Sequence, residues 1–228
     1  VLSAVRADGQ GPERTLIPGA EPAFTPDNRS VVYTVGDRGR RSLWVARVDV
    51  DGGLVNPQPL GAGEAGSSSA ATDARPREGA YAGRVSPDGR YVAYTSTDTG
   101  QPEVHLRRFA DGGGHWQVSF EGGREPRWVA ATGELVFIAG TGSNARRLVA
   151  LEVGSGSSPT LTEPITLFSL PFDVRPKEYA VTPDGQRFLM IRDAEASHQS
   201  AGTNLLDTSR FARITVVQNW FQEFMEQR

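Results

Sequence analysis

Apolar and polar positions alternate with a period of two in short runs along this chain, and three of the runs follow the same corner. The segments TPDNRSVVYT (25–34), SPDGRYVAYT (86–95) and TPDGQRFLMI (182–191) each place a hydroxyl residue and proline before Asp-Asn or Asp-Gly, then continue into an alternating pattern. Proline presets one turn dihedral, Asp accepts backbone N–H groups within the turn, and Gly or Asn tolerates the left-handed backbone of a tight corner. A strand that resumes at a fixed phase after such a corner predicts one supersecondary unit used repeatedly.

With the corner proline as origin, another, degenerate copy aligns without gaps: in Trp128-Val129-Ala130-Ala131-Thr132, Ala130 takes the proline's place. Two residues before the origin stand Phe24, Val85, Trp128 and Val181; five after it Val31, Val92, Leu135 and Phe188; seven after it Tyr33, Tyr94, Phe137 and Met190. All are apolar or aromatic, which predicts that they are sheltered between stacked sheets. Only the interval from Pro87 to Ala130 is near the ~40–45 residues of a four-stranded propeller blade, so the other two predict insertions. GAGEAGSSSAATDARPREGA (61–80) and DAEASHQSAGTNLLDTSR (193–210) are small, polar and aperiodic, and read as surface loops.

Further strands are predicted in LWVARV from Leu43, EVHLRRF from Glu103, RLVALEV from Arg147 and RITVV from Arg213, with shorter fourth strands in WQVS from Trp116 and ITLF from Ile165. The N-terminal LSAVRADGQGPERTLIPG reads as the second half of a unit: a strand, an Asp-Gly turn and a short outer strand before Glu21-Pro22. Helical periodicity is nearly absent; Trp220, Phe221 and Phe224 in the tail could share one face of a short helix, capping the last unit or docking another subunit. A four-stranded sheet with two apolar faces is buried by stacking on like neighbours, which a propeller does radially.

Composition narrows the functions. The 228 residues carry 24 Lys+Arg against 27 Asp+Glu, a net charge of -3, which gives no general reason to bind nucleic acid or an anionic membrane. There is no Cys, hence no disulfide, thiolate nucleophile or cysteine metal site. No apolar run is long enough to span a bilayer, and Val1 opens no signal-peptide pattern. Without an initiator Met the chain reads as a processed or excised piece of something longer.

The segments SPDGRYVAYTS, EVHLRRF, GGGHWQVS and GGREPRW resemble the TolB-like, WD-type propeller repeats of bacteria. PDGQRFLMI with the closing ITVVQNWFQEF is similar, more specifically, to the end of propellers fused behind serine/threonine protein kinase domains and a membrane span. The resemblance covers nearly the whole chain outside the two loops. It implies an all-β fold, a β-propeller of four-stranded antiparallel blades, with a partial blade plus four blades of a six-bladed parent. The expected division is a partial blade over 1–20, blades over 21–60, 81–124, 125–177 and 178–219, inserted loops at 61–80 and 193–210, and a tail from 220. It also implies a sensing or scaffolding role, periplasmic or extracellular, tethered through a membrane span outside this chain. The degenerate corner departs from the pattern, leaving that blade's edge less well defined by it.

Catalytic motifs are sparse. A kinase domain needs a strand lysine, an H-R-D loop and a D-F-G turn; Lys177 is the only lysine and neither motif occurs. Gly61, Gly63 and Gly66 form G-x-G-x-x-G, but inside a polar loop rather than between a strand and a helix. The G-x-S-x-G elbow of serine hydrolases is missing, and His105, His115 and His198 are scattered, as a strand, a turn and a loop residue. Asp49, Asp51 and Gly52 lack the later ligands of a calcium loop and read as a strand-ending turn. Asp27, Asp88 and Asp184 recur at one corner position and read as turn stabilisers. Trp44, Trp116 and Trp128 read as core between blades.

No catalytic residue, metal or cofactor is therefore expected, and the chain is read as a non-enzymatic module. Its candidate binding residues are Glu21, Glu125 and Glu178, each five before the corner origin, with Arg84 and Arg127 three before it. If the first strand of each blade borders the axis, they approach one mouth of the central channel and could take a protein, a peptide or a small polar ligand. The plainer reading is surface charge or salt bridges between blades. Two other classes stay open: an enzymatic or hydrolase-associated propeller, metal-dependent in one form, and a structural repeat that self-associates through unpaired blade edges.

Overall fold

A computed structural model describes residues 1–5, 12–37, 40–60, 79–141, 146–154, 156, 158–170, 174–192 and 213–218; for 174–178, 192 and 213–218 it describes the backbone alone. The described residues hold strands and turns. β1 (Leu2–Ala4) pairs with β2 (Arg14–Ile17) as a two-stranded sheet. The first full sheet runs β3 (Ala20–Phe24), β4 (Ser30–Val35), β5 (Ser42–Val48), β6 (Leu54–Pro59) in that order, all antiparallel. The second repeats it with β7 (Tyr81–Val85), β8 (Tyr91–Ser96), β9 (Glu103–Arg108) and β10 (Trp116–Gln117). In the third, β11 (Gly123–Trp128), β12 (Leu135–Ala139) and β13 (Arg147–Leu151) are followed by a small hairpin, β14 (Val153–Gly154) with β15 (Thr160–Leu161), before β16 (Ile165–Ser169) closes the sheet. The fourth contains β17 (Val174–Val181), β18 (Arg187–Arg192) and β19 (Arg213–Gln218).

Each corner is closed from within. In the second sheet the Ser86 hydroxyl donates to Asp88 Oδ1 (2.5 Å), Asp88 accepts the N–H of Arg90 (3.1 Å), and the N–H of Tyr91 donates back to Ser86 Oγ (2.9 Å). Thr25 with Asp27 and Thr182 with Asp184 repeat the arrangement, so the aspartates stabilise turns as expected. The hydroxyls, joined by the N–H groups of Arg29 and Gln186, hold the Asp27 and Asp184 carboxyls below the usual carboxylate range. Asn28, Gly89 and Gly185 take the left-handed backbone at the same corner position.

The degenerate corner keeps the closing bond, Val129 N–H to Glu134 O (2.9 Å), where Ser86 bonds Tyr91 O (2.8 Å). Its left-handed residue is Gly133, one place later. Val129 replaces the hydroxyl and is buried, and the N–H of Ala131 donates to Pro183 O (2.9 Å) on the next corner. The lost hydroxyl and carboxylate are thus exchanged for contact with the neighbouring sheet.

The core lies between sheets. Residues five and seven after the origin, Val31, Tyr33, Val92, Tyr94, Leu135, Phe137, Phe188 and Met190, are all buried. They face the preceding sheet: Val92 and Tyr94 pack on Val32 and Leu43, Leu135 and Phe137 on Ala93, Val104 and Leu106, Phe188 and Met190 on Val136 and Ile138. The four positions before the corner need a correction. Val85 is buried, Trp128 and Val181 are half-buried, and Phe24 is 64% exposed. Its counterparts meet a full preceding sheet; among the described residues the sheet before Phe24 is β1 with β2, whose Leu2 and Ile17 cover Val31 and Tyr33 but leave Phe24 open. Trp44, Trp116 and Trp128 pack against these clusters partly buried.

Candidate functional site

The contacts between neighbouring sheets converge on the first strands, with β7 against β3, β11 against β7 and β17 against β11. A local backbone device makes this possible. Glu21, Ala82 and Glu125, all five before the origin, have φ of 54°, 54° and 55°, and the strand register shifts at each of them. A bulge of this kind releases an N–H from its own ladder, and that N–H must find another acceptor. The N–H of Glu125 donates to the Thr95 hydroxyl of the preceding sheet (3.1 Å). Ala82 N–H donates to Glu21 Oε2 (3.1 Å) and Thr34 Oγ1 (3.3 Å), while Thr34 itself donates to Glu21 Oε2 (3.0 Å). Trp128 Nε1 donates to Arg84 O (2.9 Å), and the Tyr179 hydroxyl donates to Glu125 O (2.6 Å). First strands are laced one to the next, and the residues they carry are brought into one neighbourhood.

Of the candidate residues, Glu21, Arg84, Glu125 and Arg127 are gathered here. Glu178 lies in β17 beside Tyr179, its side chain outside the described residues. Arg84 Nη1 donates to Gly83 O (2.7 Å) and lies 3.4 Å from Glu21 O. Arg127 Nη1 donates in the same way to Pro126 O (2.8 Å), with Nη2 3.5 Å from Glu125 Oε2. Burial lowers the Arg84 pKa to about 10, and the positive charge of Arg127 adds to the depression against the pull of Glu125 and Glu21. Glu125 is a buried group, only 3% exposed, so at this position the carboxylate faces protein more than solvent.

Residues outside the sequence-based set complete the neighbourhood. Arg127 stands over the Tyr179 ring at 5.2 Å; burial pushes the Tyr179 phenol far above its ordinary range, so it remains a neutral donor. Arg41 lies 3.4 Å over the ring of Tyr81, and burial also raises the Tyr81 phenol. Arg124 Nη2 donates to Gly140 O (3.2 Å). The threonines eight after the origin, Thr34 and Thr95, were visible in sequence as a repeated position; the tyrosines had no repeat to announce them.

The other candidates have local roles. Asp49 Oδ1 accepts N–H groups from Asp51 and Gly53, a strand-ending turn. His105 lies in β9, its ring stacked on Tyr94 and on His115 with centroids 5.8 and 4.5 Å away. Buried Glu103 accepts from Ser119 Oγ, the Gly122 N–H (2.9 Å) and Gln101 Nε2 (2.7 Å), fixing the link into the third sheet. Among the described residues no three His, Asp or Glu converge as a metal-binding group. Gly61, Gly63, Gly66, His198, the 193–210 loop and the aromatic tail lie outside the described residues.

No protein-family model and no curated protein matches the chain. Solved structures are similar. TolB from Acinetobacter baumannii superposes with a TM-score of 0.60 at 14% identity, over 93% of this chain and 44% of that one. The fold is a β-propeller. A Mycobacterium tuberculosis puromycin-hydrolyzing peptidase follows at a TM-score of 0.51 and 15% identity, over 90% of this chain and 28% of its own. A puromycin hydrolase gives 0.52 at 20% identity, over 79% and 27%. The chain spans less than half the length of each of these structures. Among the described residues no helix is long and apolar enough to cross a membrane. Three of the propeller's sheets are four-stranded and antiparallel, and the first strands of the sheets carry the candidate residues.

Proposed function

We propose that this propeller is a non-catalytic module that binds a protein, peptide or small polar ligand where the first strands of its blades meet. One observation carries this reading: left-handed bulges at the same position of three blades bring Glu21, Arg84, Glu125 and Arg127 together from separate sheets. Polar groups that converge beside a shifted ionisable group support a binding-site reading. The resemblance of PDGQRFLMI and the closing ITVVQNWFQEF to kinase-fused propellers supports a finer version. In that version 1–228 is one propeller piece of a six-bladed ring, the sensing or scaffolding part of a bacterial serine/threonine kinase, outside the cytoplasm and tethered through a span elsewhere in the parent.

The chain has no Cys, so a thiol can be placed at will. Ala23→Cys, at the arginines' repeat position on β3, and Val50→Cys, on a fully exposed turn, would each carry a bulky maleimide. Retention of random synthetic heptapeptides should fall at least ~10-fold when position 23 is blocked and stay unchanged when position 50 is blocked, with no hydrolysis of the peptides. Equal retention with either label, or turnover of the peptides, refutes the reading.

A further inference from the structure

Arg84 and Arg127 are more specific than a general charged rim. They occupy one repeat position on adjacent first strands, β7 and β11, whereas β3 and β17 place Ala23 and Ala180 there. At this repeat position the arginines are therefore a pair at one seam. Each guanidinium is oriented in the same way, with Nη1 held by the carbonyl of the residue before it, Gly83 at 2.7 Å and Pro126 at 2.8 Å. A guanidinium fixed by one edge keeps its remaining donors in a rigid fork.

Protein carboxylates stand near this pair, but among the described residues one of them, Glu125, lies within 4 Å of a guanidinium nitrogen. Arg127 has Glu125 Oε2 at 3.5 Å, long for a hydrogen-bonded ion pair, and its side chain is only 16% exposed. Among the described residues Arg84 has no carboxylate within salt-bridge distance, its further contact being the Glu21 carbonyl at 3.4 Å. Two arginines removed from water beside each other are costly unless an anion joins them. The depressed Arg84 pKa reports that cost, with burial first and Arg127 second.

We propose that Arg84 and Arg127 receive a carboxylate carried by a peptide at the channel mouth, a deduction that rests on the binding reading above. A guanidinium fork suits a planar carboxylate, which accepts paired N–H bonds. Glu21 and Glu125 flank the pair, so a monoanion meets less repulsion there than a dianionic phosphate. Arg127 lies over Tyr179, and Tyr179 donates to Glu125 O, so an anion placed on Arg127 also sits beside a fixed seam between the third and fourth blades.

The test uses the 228-residue chain and four labelled pools of random heptapeptides: central Glu or central Gln with both ends blocked, and central Gln with a free or an amidated C-terminus. Retention of a carboxylate-bearing pool should exceed its neutral match by at least ~10-fold, and the pool preferred tells a side-chain from a terminal carboxylate. Arg84→Gln with Arg127→Gln should erase that preference while neutral peptides stay bound; Arg84→Lys should leave it several-fold weaker, since a point charge replaces the fork. If the glutamine variant fails to fold, competition on the native chain decides: sodium acetate should displace the acidic pool at lower concentration than inorganic phosphate at equal ionic strength. Equal retention of acidic and neutral pools, a preference that survives the double substitution, or stronger competition by phosphate overturns the carboxylate receptor and leaves channel binding standing. Retention of no pool at all overturns both.

Discussion

The corners of the second and third blades solve one problem by different means. Ser86-Pro87-Asp88-Gly89 satisfies itself, its hydroxyl, carboxylate and N–H groups all bonding within six residues. Val129-Ala130-Ala131-Thr132-Gly133 closes the same outer bond but relies on the next blade, through buried Val129 and the bond from Ala131 to Pro183. A corner with its own polar clasp is autonomous; one without it is stable only as far as its neighbour is present. The degenerate copy marks a place where the repeat traded local for inter-blade stabilisation.

The largest test of that contrast lies at two glycines with the same φ of 74°. A Cβ on Gly89 meets nothing within 4 Å, whereas one on Gly185 falls 2.9 Å from Val129 Cγ1. Gly89→Ala should cost about 1–2 kcal/mol, the price of a left-handed alanine. Gly185→Ala should cost about 3 kcal/mol, because overpacking against Val129 is added. In a double-mutant cycle by urea unfolding, Val129→Ala should couple to Gly185→Ala by roughly 1 kcal/mol and not to Gly89→Ala. Equal costs at the two glycines would mean that the third corner leans on nothing.

Next in size is the autonomous clasp itself. Ser86→Ala leaves the buried N–H of Tyr91 without its acceptor, and should cost about 2 kcal/mol. The corresponding Val129→Ser gains no carboxylate partner, since Ala131 stands where Asp88 does, so it should destabilise rather than rescue. A stabilised Val129→Ser variant would contradict the exchange described for that corner.

The smallest effect is in acid. Asp27 and Asp184 have folded pKa values below the unfolded one, so their contribution is complete above roughly pH 4 and is lost as the pH falls through the folded values. The paired Asp27→Asn and Asp184→Asn variant should lose less stability between pH 5 and pH 3 than the parent chain, measured by urea midpoints. Identical pH slopes would show that these carboxylates are not held by their hydroxyl partners.

Strands with a strong period and a polar corner were legible in sequence because both signals are local. β6 was not, since Pro57, Pro59 and the left-handed Asn56 disguise an edge strand that needs few ladder donors. Nor was the β14–β15 hairpin, whose two-residue strands are too short to show a period. Exposure of Phe24 was hidden for the opposite reason: its local pattern is that of Val85, and what distinguishes them is the neighbouring sheet, which covers Val85 and among the described residues does not reach Phe24. At the candidate site, counting from the corner picked out Glu21, Arg84, Glu125 and Arg127, which the fold places on neighbouring first strands, and Glu178, whose side chain lies outside the described residues. It missed Tyr179 and the stacking of Arg41 on Tyr81, because those contacts join strands far apart in sequence.

The bulges at Ala82 and Glu125 give two seams a direction, because their N–H groups are spent on the blade before, not the one after. A second molecule joining an open end through the same bonds must add head to tail, in the manner of a stair rather than a handshake. Two-fold pairing through that surface cannot reproduce them, so any assembly that reuses this seam is a closed ring or an open-ended spiral.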